Sequence, residues 1–190
     1  VAFEGGKFGG IALSNIGEIY NCSFMGSITA SNQAAGIVVV NNGLLEVCST
    51  LLIDGSSIKL ASTFDSQAKI AGVCVENLEN GKILRSYIHS YKTDAAFVGS
   101  DFSYVGGLVH TNSGEITKSF SALLNADSVT GFVYVNNAGA SIDNCYSNTT
   151  FVNYNYGSIT KCFSVLDDER LDASTSCYSG ANATEKTVSD

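Results

Sequence analysis

The chain has no proline and no tryptophan, and only one methionine and two histidines in 190 residues. Runs rich in Ala, Leu, Glu and Lys, which favour helices, are also missing. Ser, Asn, Gly, Thr, Val and Ile dominate instead, a mixture that suits many short strands joined by turns. Basic residues are scarce: 10 Lys and Arg against 18 Asp and Glu give a formal net charge of −8. Wrapping a phosphate backbone or docking on anionic lipid requires a basic surface, so nucleic acid and charged membrane surfaces are excluded as partners. No apolar run approaches the roughly 20 residues of a membrane-spanning helix, so membrane insertion is not expected. Val1 to Gly6 lacks a basic region followed by an apolar stretch, and no secretory leader is legible there. With hydrophobic residues at 45% and charged residues at 15%, the composition is that of a folding chain with a substantial core.

The sequence is repetitive. One unit runs from Gly9 to Phe24 and returns at Ala35–Cys48, Ala71–Tyr87, Gly106–Phe120 and Thr130–Tyr146, then in shortened form at Asn155–Phe163. Cys177-Tyr178-Ser179 echoes its last step. Within the units, Ile or Leu is followed three residues later by Cys or Ser: Ile19/Cys22, Leu45/Cys48, Ile83/Ser86, Ile116/Ser119, Ile142/Cys145 and Ile159/Cys162. Spacing between units ranges from 17 residues (Ile142 to Ile159) to 38 (Leu45 to Ile83), so insertions are expected outside the repeated core.

Each element of the unit has a physical reading. The opening Gly permits close backbone approach. The short β-branched run after it reads as a strand. Asn and Gly tolerate positive φ and so are expected to turn the chain. The Ile and the closing aromatic share parity and would face one side of an unbroken strand, with Cys or Ser facing the other unless the strand bends. Two short strands cannot bury an apolar face alone, whereas stacked units share a continuous core and place equivalent residues in ladders about 4.8 Å apart. The expectation is an all-β, parallel β-solenoid of about six to eight irregular coils spanning residues 1–166, with a terminal coil and polar tail over 167–190. By analogy with known β-helices it is right-handed.

The pattern Gly-Gly-Leu-Val, x-x-Asn-x-Gly, x-Ile, x-x-Cys/Ser-Tyr/Phe-Ser resembles the GLUG repeat, with Gly106–Ser121 and Thr130–Ser147 closest to it. The resemblance spans about residues 9–164. It implies a β-helical segment of a large bacterial surface or secreted protein, such as an adhesin-like filamentous protein or the non-catalytic part of an immunoglobulin A peptidase. GLUG repeats share no catalytic residues. This chain departs from the family in its irregular spacing and its longer insertions at 50–70 and 88–105.

Five of the six cysteines, Cys22, Cys48, Cys145, Cys162 and Cys177, hold the closing position or its echo, while Cys74 lies in an apolar strand. Ser at 86 and 119 preserves the pattern, which favours a ladder of small buried side chains over obligatory bridges. Cys145–Cys162 and Cys22–Cys48 nonetheless fall on adjacent coils, near bonding distance. There is no Cys-x-x-Cys, and two histidines do not suggest a zinc site. Glycosylation sequons occur at Asn21, Asn148 and Asn182.

Candidate chemistry is sparse. Glu18 and Glu115 share a repeat position, but Leu44 and Lys82 separate them, so they do not form an acid/base pair. Asp167, Asp168 and Glu169 read as a solvated turn, and neither His89 nor His110 lies in a catalytic motif. No catalytic, cofactor-binding or metal-ligating residue is assigned. The residues best suited to a ligand or partner surface are Tyr154 and Tyr156, and His89 with its neighbours Tyr87 and Tyr91. A repeat starts almost at once at the amino end and a polar stretch, Gly180–Asp190, closes the sequence, which suggests a segment of a longer β-helix or a unit stacking end to end. The expected role is a structural or adhesive segment of an extracellular or cell-surface protein, its partner a host or neighbouring protein or a glycan. A self-assembling filament subunit and a carbohydrate-binding or carbohydrate-cleaving β-helix are the alternatives.

Overall fold

The computed structural model describes residues 4–61, 67–91, 96–98, 104–124, 131–165 and 177–179. Among them there is no helix, and so none long and apolar enough to cross a membrane. Every strand pairing is parallel, and the strands form four sheets, here A to D. The tail at 180–190, the acidic run Asp167–Glu169 and the boundary at 166/167 fall outside the described residues.

The chain visits the sheets in one order. Its first pass runs β1 (Glu4–Gly9) in sheet A, β2 (Ala12–Asn15) in B, β3 (Glu18–Tyr20) in C and β4 (Ser23–Met25) in D. The second repeats this with β5 (Ser27–Ala35), β6 (Val38–Asn41), β7 (Leu44–Glu46) and β8 (Ser49–Leu52). The third splits its sheet-A course into β9 (Ser57–Leu60) and β10 (Lys69–Ala71), then follows β11 (Cys74–Asn77), β12 (Lys82–Leu84) and β13 (Tyr87–Ser90). The fourth splits likewise into β14 (Ala96–Val98) and β15 (Tyr104–Gly106), then β16 (Val109–Asn112), β17 (Glu115–Thr117) and β18 (Phe120–Ala122). Sheets B, C and D continue through β19 (Val133–Asn136), β20 (Ser141–Asp143) and β21 (Tyr146–Ser147) and through β22 (Val152–Asn155), β23 (Ser158–Thr160) and β24 (Phe163–Ser164). A last strand, β25 (Tyr178–Ser179), adds to sheet D.

Sheet A is built from the segments between the repeated units, and these contribute to the core. Residues 27–35, 57–60 and 69–71 pair in register, and Ile28, Ile58 and Ile70 are fully buried. The segments vary in length, which hides their equivalence, because two short strands, β9 and β10, lie end to end along the single longer β5. One apolar cluster draws on all four sheets, including Ile28 and Ile70 from A, Val38 and Val109 from B, Leu45 and Ile116 from C, and Leu52 and Ile88 from D.

The turns also differ from the expected mechanism. The opening glycines are required by crowding: a Cβ on Gly36 would collide with the Thr50 hydroxyl and the Gly72 carbonyl. The Asn-Gly corner between sheets B and C uses positive φ on one described pass alone, at Gly139 (φ 84°). Its asparagines, Asn15, Asn41, Asn77, Asn112, Asn136 and Asn155, stack instead, each Nδ2 donating to the Oδ1 of the next at 2.8–2.9 Å. Positive φ appears at the following corner, between sheets C and D, on Asn21, Val47, Arg85, Lys118, Asn144 and Lys161, with φ from 51° to 56°. That left-handed residue bends the strand, so the Ile and the Cys or Ser three residues on both point inward, as at Leu45 and Cys48.

Candidate functional site

The bend at the C–D corner decides what faces outward from sheet D. Ser23, Ser49, Tyr87, Phe120, Tyr146 and Phe163 align in one register column, and Phe24, Thr50, Ile88, Ser121, Ser147 and Ser164 in the next. The second column is inward. Phe24 belongs to it, packing on the core against Gly10, and so differs from the other closing aromatics, which face out. In the outward column Tyr87 and Phe120 stack with centroids 4.6 Å apart and planes 5° from parallel. One face of each ring is covered by the other. A further outward column holds Met25, Leu51, His89 and Ala122, and beyond it Tyr91, 54% exposed, leans against His89 at 4.2 Å. Among the described residues these two columns contain no Asp, Glu, Lys or Arg.

The expected surface residues therefore divide between two places. Tyr87, His89 and Tyr91 share the outer face of sheet D. Tyr154 lies in β22 of sheet B, edge-on to Tyr134 at 5.6 Å, and Tyr156 follows at the B–C corner, 67% exposed. Tyr134 in turn contacts the ring of His110 at 4.9 Å. His110 is buried, its Nδ1 2.7 Å from the Thr111 hydroxyl, and burial, followed by the nearby Lys69 charge, lowers its pKa to about 3. It is held as a neutral ring.

No protein-family model, curated protein or solved structure matches this chain. The candidate surfaces are thus defined by their own geometry. Sheet C presents the opposite chemistry to sheet D. Glu18, Leu44, Lys82 and Glu115 follow one another in its outer register, so Glu18 and Glu115 are three passes apart, as the repeat implied. Glu115 pairs with Lys82 at 3.3 Å, and Glu46 pairs with Arg85. Among the described residues no three His, Cys, Asp or Glu side chains converge as a metal site would require.

One polar cluster went unread in the sequence. Gln33 and Lys69 are register partners in sheet A, and both reach Glu76 of sheet B, Gln33 Nε2 donating at 3.2 Å and Lys69 Nζ at 2.9 Å to the same Oε1. The available signal was positional: each of the two lies three residues before an opening Gly, at Gly36 and Gly72. The sequons separate as well. Asn21 is exposed, whereas Asn148 uses Oδ1 to accept from the Leu123 amide and Nδ2 to donate to the Leu123 carbonyl. Asn182 lies outside the described residues.

Proposed function

We propose that the four sheets close into a right-handed parallel β-helix, and that the chain is a structural or adhesive segment of a larger extracellular or cell-surface protein, related to GLUG-repeat proteins and without a catalytic role. Support for closure comes from the constant B–C–D visiting order, preceded by sheet A on the first four passes, and from the single apolar cluster to which all four sheets contribute. Right-handedness follows the general rule for parallel crossover connections, obeyed in about 98% of cases.

The observation that carries the adhesive reading is the outer face of sheet D: aromatic and apolar columns without a formal charge, on a chain whose net charge is −8. Exposed apolar surface of this kind marks interaction sites on soluble proteins. A protein partner suits it better than a glycan, because sugar rings stack on aromatic faces and the Tyr87–Phe120 pair covers one face of each of its rings.

To test this, the immobilised chain is probed with a panel of purified extracellular-matrix proteins and glycans, alongside Tyr91→Glu and Tyr146→Glu. A protein ligand whose affinity drops on the order of tenfold or more in both variants supports the reading. Failure of every probe to bind, or binding indifferent to both substitutions, overturns it. Light scattering with negative-stain imaging over a concentration series distinguishes the alternative: short rods fit a segment, whereas long fibres would put a filament subunit in its place.

A further inference from the structure

The inward position that opens sheet D carries sulfur on three successive passes, at Cys145, Cys162 and Cys177, each directly preceding a residue of the Tyr146–Phe163–Tyr178 register column. All three are buried, and none of them is in a disulfide. The last two are also in contact, the Cys162 amide donating to Cys177 Sγ at 3.3 Å. On the other side of Cys145 the column continues as Ser119 and Ser86, which ends the run of thiols.

We propose that this column is a redox-modification site at which Cys162 and Cys177 join as a disulfide between neighbouring passes when the chain meets a low-molecular-weight disulfide such as oxidised glutathione. In-register strands stand about 4.8 Å apart, inside the roughly 4.4–6.8 Å Cα separation that a disulfide spans. Bonding requires the two Cβ atoms to close to about 3.8 Å, so one strand must shift slightly. Cys177 Sγ already lies against the Cys162 backbone amide, and this contact selects Cys177 as the partner of Cys162.

The exchange is balanced. The Cys177 thiolate attacks one sulfur of glutathione disulfide, forming a mixed disulfide and releasing a glutathione thiolate that takes up the proton Cys177 gave up. The Cys162 sulfur, having lost its proton, then attacks the Cys177 sulfur and expels the second glutathione, which leaves as a thiol. Two protein thiols are oxidised to one disulfide and one glutathione disulfide is reduced to two thiols. Burial raises the Cys162 thiol well above the ordinary range, so the second step is slow.

The test uses the whole reduced chain, exposed to oxidised glutathione, alkylated in denaturant and mapped by mass spectrometry without reduction. Alkylatable thiols are expected to fall from the six of the sequence to four, with a linked peptide pair containing Cys162 and Cys177. In Cys177→Ser, a change the column already accommodates at Ser86 and Ser119, no linked pair is expected to form. Six alkylated thiols after oxidation, or a cross-link at Cys145–Cys162 or Cys22–Cys48, would overturn the proposal.

Discussion

The chain turns twice within a few residues on every pass, first from sheet B to C and then from C to D, and the two corners solve the same problem by different chemistry. At the B–C corner the backbone keeps ordinary dihedrals on every described pass but the one through Gly139, and an asparagine side chain closes the turn. Asn112, for example, accepts from the Gly114 amide and donates to the Gly114 carbonyl, both at 3.3 Å, while bonding to Asn77 and Asn136 above and below. At the C–D corner the backbone itself enters the left-handed region, and the small Cys or Ser behind it donates to the carbonyl two residues earlier: Ser86 to Leu84 at 3.0 Å, Ser119 to Thr117 at 2.9 Å, Cys162 to Thr160 at 3.1 Å. The first corner depends on one residue type throughout. The second depends on a conformation and tolerates several residue types, as Asn21, Val47, Arg85 and Lys118 show.

The largest effect should come from breaking the asparagine ladder. Asn112→Ala strands a buried donor on Asn77 and a buried acceptor on Asn136, both almost inaccessible to solvent, and is expected to cost about 3 kcal/mol. Ser119→Ala, at the matching height of the C–D corner, removes a weaker set of bonds and should cost about half as much. Urea unfolding of both variants decides the matter, and equal losses would erase the distinction between the corners.

A pH series sharpens it next. His110 lies two residues before Asn112, buried, with its pKa lowered to about 3 by burial and then by the Lys69 charge. An imidazole in the unfolded chain titrates near 6.5, so below that pH the unfolded state binds a proton that the folded state refuses. Stability is fully present above about pH 6.5 and is lost as the pH falls toward the folded value, with a loss of about 2 kcal/mol between pH 7 and pH 5. His110→Asn should flatten this slope whatever its effect at neutral pH. An unchanged slope would show that the titrating group lies elsewhere.

Val47 offers a gain. A β-branched residue at φ 56° is strained, and two other corners carry Asn at the same position, Asn21 and Asn144. Val47→Asn is expected to raise stability by about 1 kcal/mol in thermal or urea unfolding, whereas a loss would mean that the half-buried side chain contributes more through packing than the backbone loses.

These contrasts also explain what the sequence disclosed. The repeat, the parallel stacking and the alignment of Asn, Ile and Cys/Ser into columns were legible because each is a recurrence of residue type at fixed spacing. The location of positive φ was not, because Asn and Gly tolerate that conformation generally while Arg85, Lys118 and Lys161 carry no compositional sign of it. Sheet A escaped notice because the segments between units differ in length, and periodicity cannot reveal two short strands laid end to end along β5. On the candidate surface, the sequence singled out Tyr87, His89 and Tyr91 but not the uncharged face they share, because the bend that turns the closing aromatics outward is set by the left-handed residue before Cys or Ser.

The smallest expected effect tests whether sulfur matters to that bend at all. Cys145 donates to the Asp143 carbonyl at 3.2 Å from a position that Ser119 and Ser86 fill on the two preceding passes with the same bond. A hydroxyl supplies the donor and nearly the same volume, so Cys145→Ser should change unfolding free energy by less than about 1 kcal/mol, while Cys145→Val, lacking a donor and branched at Cβ, should cost about 2 kcal/mol. A serine as costly as the valine would mean that the pocket selects sulfur for its apolar bulk. A valine as mild as the serine would remove the donor from the account of the corner and leave the left-handed backbone to hold it alone.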